Sequence, residues 1–159
     1  MRKGMIISKQ CVFKGVDCKD KSEALSFLAD KLYVEGFVNE KYKEAILTRE
    51  QNYPTGLPGS EWNIAIPHAD FHLVNRTTIA AAILKQPVLF HSMDNIKKDI
   101  PVQIILMLAI KEPHGQIQML QNVIQFIRNH ELLKKIVDEY TEQQIVAVLQ
   151  MQLNQKMGA

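Results

Sequence analysis

The chain is short of cysteine, of one-sided charge and of long apolar runs, and each shortage removes a class of protein. Only two cysteines occur among 159 residues, Cys11 and Cys18. Their six-residue gap fits neither a zinc pair nor a redox CxxC, so two inert thiols in a reducing cytoplasm are the simplest reading. Nineteen basic residues against seventeen acidic ones leave a net charge of +2. The signs are interleaved, and without a block of like charge neither a nucleic-acid stripe nor a polybasic membrane patch is indicated. The apolar runs are too short to span a bilayer, which argues against direct membrane insertion. The start Met1-Arg2-Lys3-Gly4 is basic, but too few apolar residues follow before Lys9 for a signal peptide. There is no repeat and no low-complexity linker. Apolar residues make up 47% of the chain, enough for one sizeable core, so a single domain over residues 1–159 is expected.

Strands and helices alternate. Residues 10–16 suit a short first strand. Asp20-Lys21-Ser22-Glu23 reads as a capping box, followed by Leu25, Leu28 and Leu32 on one helical face, with Gly36 as the stop. A second helix is expected from Asn39 as N-cap, with a stripe of Tyr42, Ala45, Ile46 and Arg49, so the arginine would point with the core. Residues 53–60 turn to proline and glycine and read as a loop. Trp62, Ile64 and Ile66 alternate with Asn63 and Ala65 as a strand with one better-buried face, closed by Pro67. Residues 77–84 and 88–90 look like an antiparallel pair turning across Lys85-Gln86-Pro87. The nearly unbroken apolar run 100–110 suits a central strand covered on both faces.

The last third is helical in pattern. Ile117, Leu120, Val123, Ile124 and Ile127 make one stripe, and Leu132, Leu133, Ile136, Val137 and Tyr140 another. Thr141-Glu142-Gln143-Gln144 is a second capping box, opening a helix with Ile145, Val148 and Leu149 inward. The sum is an α/β domain, a mixed sheet of four or five strands with helices on both faces.

The most informative stretch is Ile64-Ala65-Ile66-Pro67-His68, preceded by Thr48-Arg49-Glu50 and Tyr53-Pro54-Thr55-Gly56. An apolar strand ending in proline delivers one imidazole to a loop, with a helix-terminal arginine nineteen positions earlier. That pair suits phosphoryl transfer. A neutral imidazole has a free lone pair near pH 7 and can attack phosphorus without a separate base. The N–P bond it forms is labile, and the three anionic oxygens need a partner such as the planar fork of Arg49.

On these residues, and on Ile117-x-x-Leu120 opening a helix after the long strand, the chain resembles over nearly its whole length the IIA proteins of the bacterial phosphoenolpyruvate-dependent sugar phosphotransferase system, in the fructose/mannitol superfamily. Its details look most like the galactitol branch. The resemblance implies a cytoplasmic phosphocarrier with the IIA mannitol/fructose-type fold and no cofactor or metal. It implies that His68 accepts phosphate from the carrier HPr and passes it to a cysteine of a IIB component, which serves the membrane IIC permease. Arg49 would face the phosphoryl group, and Thr55 and Gly56 would line its site. Many relatives have a second histidine just before the Ile/Leu-x-x-Leu helix. Here that position is Gln116, with His114 two residues earlier, and either could hydrogen-bond the phosphoryl oxygens or fix the His68 tautomer. Phe71, Leu73 and Leu57 are candidates for an apolar docking rim.

Plainer readings stand beside these. His68 could be an idle loop histidine, Arg49 a cap on helix carbonyls, and Thr55-Gly56 a turn in which Gly56 takes positive φ. Asp70 reads as a helix cap rather than a base, and His91 and His130 as surface residues. Two other functions remain open. One is a regulatory module of the same fold, phosphorylated as a signal. The other is a metal-dependent hydrolase built on His68, His72 and Asp70, for which the HExxH glutamate is missing.

Overall fold

The long strands are apolar on both sides, and the architecture follows from where those two sides go. In the computed structural model, which describes residues 5–59 and 61–153, five strands form one mixed sheet: β1 (Val12–Val16), β2 (Gly56–Leu57), β3 (Asn63–Ala65), β4 (Thr78–His91) and β5 (Asp99–Ala109). Met1, Arg2, Lys3 and Gly4 of the basic start, and Ser60 of the expected loop, lie outside the described residues. The strand order is β1-β4-β5-β3-β2. β1 runs parallel to β4, β4 antiparallel to β5, β5 parallel to β3, and β3 antiparallel to β2.

Successive strand residues face opposite ways, so the sheet feeds two cores. Ala80, Ala82, Leu84, Ile105 and Met107 face α1 (Lys21–Val34) and α2 (Tyr42–Asn52), meeting Leu25, Leu28, Leu32, Tyr42 and Ile46. Ile79, Ala81, Ile83, Ile104 and Leu106 face α3 (Gly115–Ile127), α4 (His130–Asp138) and α5 (Glu142–Leu153), meeting Met119, Val123, Phe126, Leu133, Ile136, Ile145 and Leu149. Each large side chain so covered contributes about 1.5–3 kcal/mol, which offsets the entropy of ordering the chain. Cys11 and Cys18 are buried free thiols, and burial pushes the Cys11 thiol up to about 11, far from a reactive thiolate.

Local signals set the ends of the elements. Asp20 accepts from the Glu23 amide at 2.9 Å, and Gly36, at φ +80°, turns the chain out of α1. The Thr141 box closes in both directions, Thr141 Oγ1 accepting from the Gln144 amide and Gln144 Oε1 from the Thr141 amide.

Several expectations are corrected. Residues 78–91 form one strand rather than a hairpin. Lys85-Gln86-Pro87 only shifts the register against β5 between Ile83 and Val88, because the exposed Pro87 at that irregularity needs no ladder donor. The loop 53–60 contains β2, too short to show a period. Asn39 caps a turn just before α2, accepting from the Lys41 amide. Ile64, Ala65 and Ile66 are all buried, since β3 has a core on each side. The inward stripe of α3 is Met119, Asn122, Val123 and Phe126; Ile117 is 64% exposed, and Leu120, Ile124 and Ile127 are half-buried.

Two further features shape the sheet's margins. Just past the end of β4, Ser92 bridges Gly56 of β2 in parallel register. At the opposite margin, the Lys14 amide of β1 donates to the Glu142 carboxylate at 2.9 Å and the Lys14 ammonium to the Tyr140 carbonyl at 2.7 Å.

Candidate functional site

His68 stands where β3 runs out. The Ile66 amide still donates across to the Thr55 carbonyl at 3.2 Å, and the Pro67 carbonyl accepts from Leu108 of β5 at 2.8 Å. His68 itself bridges Leu108 in parallel register. The half-buried ring turns back on its own strand, with Nδ1 3.0 Å from the Ile66 carbonyl oxygen. A carbonyl only accepts, so Nδ1 carries the hydrogen and Nε2 keeps its lone pair. Burial pushes the His68 pKa below the ordinary imidazole value; the bond to Ile66 opposes that shift, and the charge of Arg49 adds to it. The arrangement favours a neutral ring with one unprotonated nitrogen, Nε2.

Arg49 approaches from the last turn of α2. It does not point with the core as its stripe suggested: it is exposed, with its guanidinium 5.3 Å from the centre of the Tyr53 ring. Its charge nonetheless bears on both His68 and Asp70, lowering the pKa of each. The residue that does point inward is Glu50, 2% exposed. Its two carboxylate oxygens accept from the Thr55 amide and the Thr55 hydroxyl, each at 2.8 Å. Burial raises the Glu50 pKa and the two Thr55 bonds pull it back. The rotation was legible after all, since Tyr42, Ile46 and Glu50 stand four apart, the spacing of one buried stripe.

Thr55 and Gly56 lie beside the site but not as open donors. The Thr55 hydroxyl is committed to Glu50. Gly56 does not take positive φ, which in the described residues belongs to Gly15 and Gly36. It is glycine for lack of room, because a Cβ there would lie 2.6 Å from the His91 carbonyl oxygen and 3.0 Å from Ile100 Cδ1.

From the other side comes the start of α3. Gln116, half-buried, donates from Nε2 to the Ala69 carbonyl at 2.9 Å, directly behind His68. His114 takes the exposed N-cap position of α3 without a capping bond. Asp70 caps the short 3-10 turn Phe71–Leu73 by accepting from the His72 amide at 2.8 Å, and its carboxylate lies 2.6 Å from His72 Nδ1. These contacts hold the Asp70 carboxyl below the usual carboxylate range. Phe71 stacks on the His72 ring at 4.0 Å; Leu73 packs on the core under α1, and Leu57 on the opposite one. Among the described residues no three His, Cys, Asp or Glu side chains gather as a metal would need. His91 pairs with Asp99 across β4 and β5 at 2.5 Å, and His130 is exposed at the start of α4.

The family model for the phosphoenolpyruvate-dependent sugar phosphotransferase system, EIIA 2, matches residues 5–152. The chain belongs to that family. Among curated relatives it is similar to the galactitol-specific EIIA component of Escherichia coli strain K12, with 23% identity over 126 residues, 79% of this chain and 83% of the relative. In fold it is similar to Escherichia coli IIA mannitol in complex with phosphorylated IIB mannitol, with 20% identity, a TM-score of 0.74, and 91% and 97% of the two chains covered. The nitrogen regulatory protein IIA-Ntr of Neisseria meningitidis shares the fold as well, with 19% identity, a TM-score of 0.75, and 91% and 96% covered. Membership makes this EIIA chain a phosphocarrier component of a sugar phosphotransferase system of the fructose/mannitol type, with galactitol-type relatives. No helix of the described residues is long and apolar enough to cross a membrane.

Proposed function

We propose that His68 Nε2 takes a phosphoryl group from the phosphohistidine of HPr and hands it to a cysteine of a IIB component, which serves a membrane IIC permease. The observation that carries this reading is the Nδ1 bond to the Ile66 carbonyl, which leaves Nε2 as the free nucleophile beside a cationic side chain. In the forward step the Nε2 lone pair forms the new N–P bond as the donor's N–P bond breaks, its electron pair returning to the donor ring. No proton has to leave. The ring takes up positive character, and the Ile66 carbonyl facing Nδ1–H stabilises it. Arg49, exposed and without a carboxylate partner among the described residues, is free to fork onto the phosphoryl oxygens, and Gln116 orders the backbone behind the ring. In the second step a thiolate attacks phosphorus and the pair returns to Nε2.

Kinship with the mannitol protein that is seen in complex with phosphorylated IIB supports the acceptor. The whole chain, residues 1–159, acts as one EIIA unit in the cytoplasm, and Phe71, Leu73 and Leu57 form the rim on which both partners dock. The test is phosphoryl transfer from phosphorylated HPr, then to IIB, with mass mapping of the modified residue. Acid-labile phosphate on His68, lost in His68→Ala and kept in His72→Ala and His91→Ala, is expected; phosphate on another histidine would overturn the reading.

A further inference from the structure

We infer that Glu50 is a positioning residue for phosphoryl transfer, gripping Thr55 at two points so that the Thr55 carbonyl holds Ile66 and the Ile66 carbonyl holds the His68 ring. The inference rests on the proposed role of His68 and extends it. Each link is a short contact: Glu50 to the Thr55 amide and hydroxyl at 2.8 Å, the Ile66 amide to the Thr55 carbonyl at 3.2 Å, and His68 Nδ1 to the Ile66 carbonyl at 3.0 Å. Every member before the histidine is buried.

A carboxylate is a costly choice at this depth, since an apolar side chain would fill the same space without giving up hydration. What it adds is two acceptors in a fixed fork, which match the amide and hydroxyl of one residue. It also joins two parts of the site. Glu50 follows Arg49 in the last turn of α2, so the grip that seats Thr55 also fixes the helix end from which the guanidinium projects. Loosening it would let the ring rotate away from Ile66, and the alternative tautomer would then put the hydrogen on Nε2, where phosphorus must arrive. A small misplacement of this kind is enough to slow a reaction that depends on position and charge.

The test compares Glu50→Ala, Glu50→Gln and Thr55→Val at a temperature where the protein is folded. Ring-nitrogen NMR of His68 in the unphosphorylated protein reports the tautomer, and transfer from phosphorylated HPr is followed as a function of donor concentration. In Glu50→Ala the ring signals should move from the Nδ1–H tautomer toward a mixture. The maximum rate should fall by about a hundredfold, with the half-saturating donor concentration changed by less than about threefold. Glu50→Gln can accept from the Thr55 amide with its oxygen and donate to the Thr55 hydroxyl with its nitrogen, so it should restore the tautomer and most of the rate. Thr55→Val keeps one of the two bonds and should fall between, which decides the matter if Glu50→Ala does not fold. An unchanged tautomer in Thr55→Val and in folded Glu50→Ala would overturn the inference, and so would a Gln variant as slow as Ala. Because the ring signals are read without phosphate, a failure of the wild type to be phosphorylated on His68 would sink the functional reading separately.

Discussion

On the face under α1 and α2 the sheet mixes Ala65, Ala80, Ala82 and Ala109 with Leu84, Ile105 and Met107, whereas on the face under α3, α4 and α5 it presents Ile64, Ile79, Ile83, Ile104 and Leu106 beside Ala81. Small side chains let α1 press onto β4, and α2 packs on α1. From there α2 reaches the far strands with long side chains. Tyr42 sends its hydroxyl to the Leu108 carbonyl at 2.8 Å, opposite His68, while Arg49 and Glu50 supply the charge and the grip. The bulky face supplies one polar contact to the histidine loop, from Gln116. The difference teaches a division of labour: bulk on one side holds the sheet, and closeness on the other brings α2 to the proposed site.

That division can be broken by mutation. The largest stability loss is expected for Ile104→Ala on the bulky face, about 2–5 kcal/mol, with the transfer rate per folded molecule unchanged. Chemical denaturation and single-turnover transfer check both halves, and a slowed rate in the folded fraction would mean that the bulky face also aligns the site. Ala82→Leu on the close face should cost less, about 1–3 kcal/mol of overpacking, yet slow transfer because α1, and α2 with it, must move outward. Equal effects on stability and no effect on rate would erase the contrast.

Smaller effects sharpen it. Arg49→Gln removes a charge that lowers the His68 pKa, so the titration of His68 should move up and the acid limb of phosphate acceptance should move to higher pH with it. Arg49→Lys keeps the charge but loses the fork, so it should leave the titration in place and slow transfer alone. The same lowered pKa sets a stability trend. The unfolded chain takes up the proton first, near pH 6.5, so stability falls as pH drops through that value and stops falling below the folded-state pKa. Smallest of all, Gln116→Ala should slow transfer a few-fold, while His114→Ala leaves the His68 NMR titration unchanged. A His68 curve altered by the His114 change would show two coupled imidazoles instead.

What could be read from the sequence divides along similar lines. The run 100–110 announced a central strand because both of its faces are apolar, and Pro67-His68 announced the end of β3 because proline cannot continue a central strand. Arg49 was misdirected by a single position, and at about 100° per residue that is enough to exchange a surface guanidinium for a buried carboxylate. Pro87 looked like a turn because its exposure on an irregular stretch of β4 is a tertiary fact. β2 left no trace, since two residues have no period, and Gly56 gave the right residue for a different reason, crowding by His91 and Ile100 rather than backbone sign.

The margins of the sheet bear on how other proteins can meet this one. A strand edge with free amides invites another extended chain to join the ladder, by partner peptide or by aggregation. Here the edge strand β1 has its Lys14 amide occupied by the Glu142 carboxylate, and β2, at the other margin, is met by Ser92 just past the end of β4. Strand addition is thereby discouraged at both margins. Recognition by the proposed donor and acceptor is then left to side chains around the end of β3.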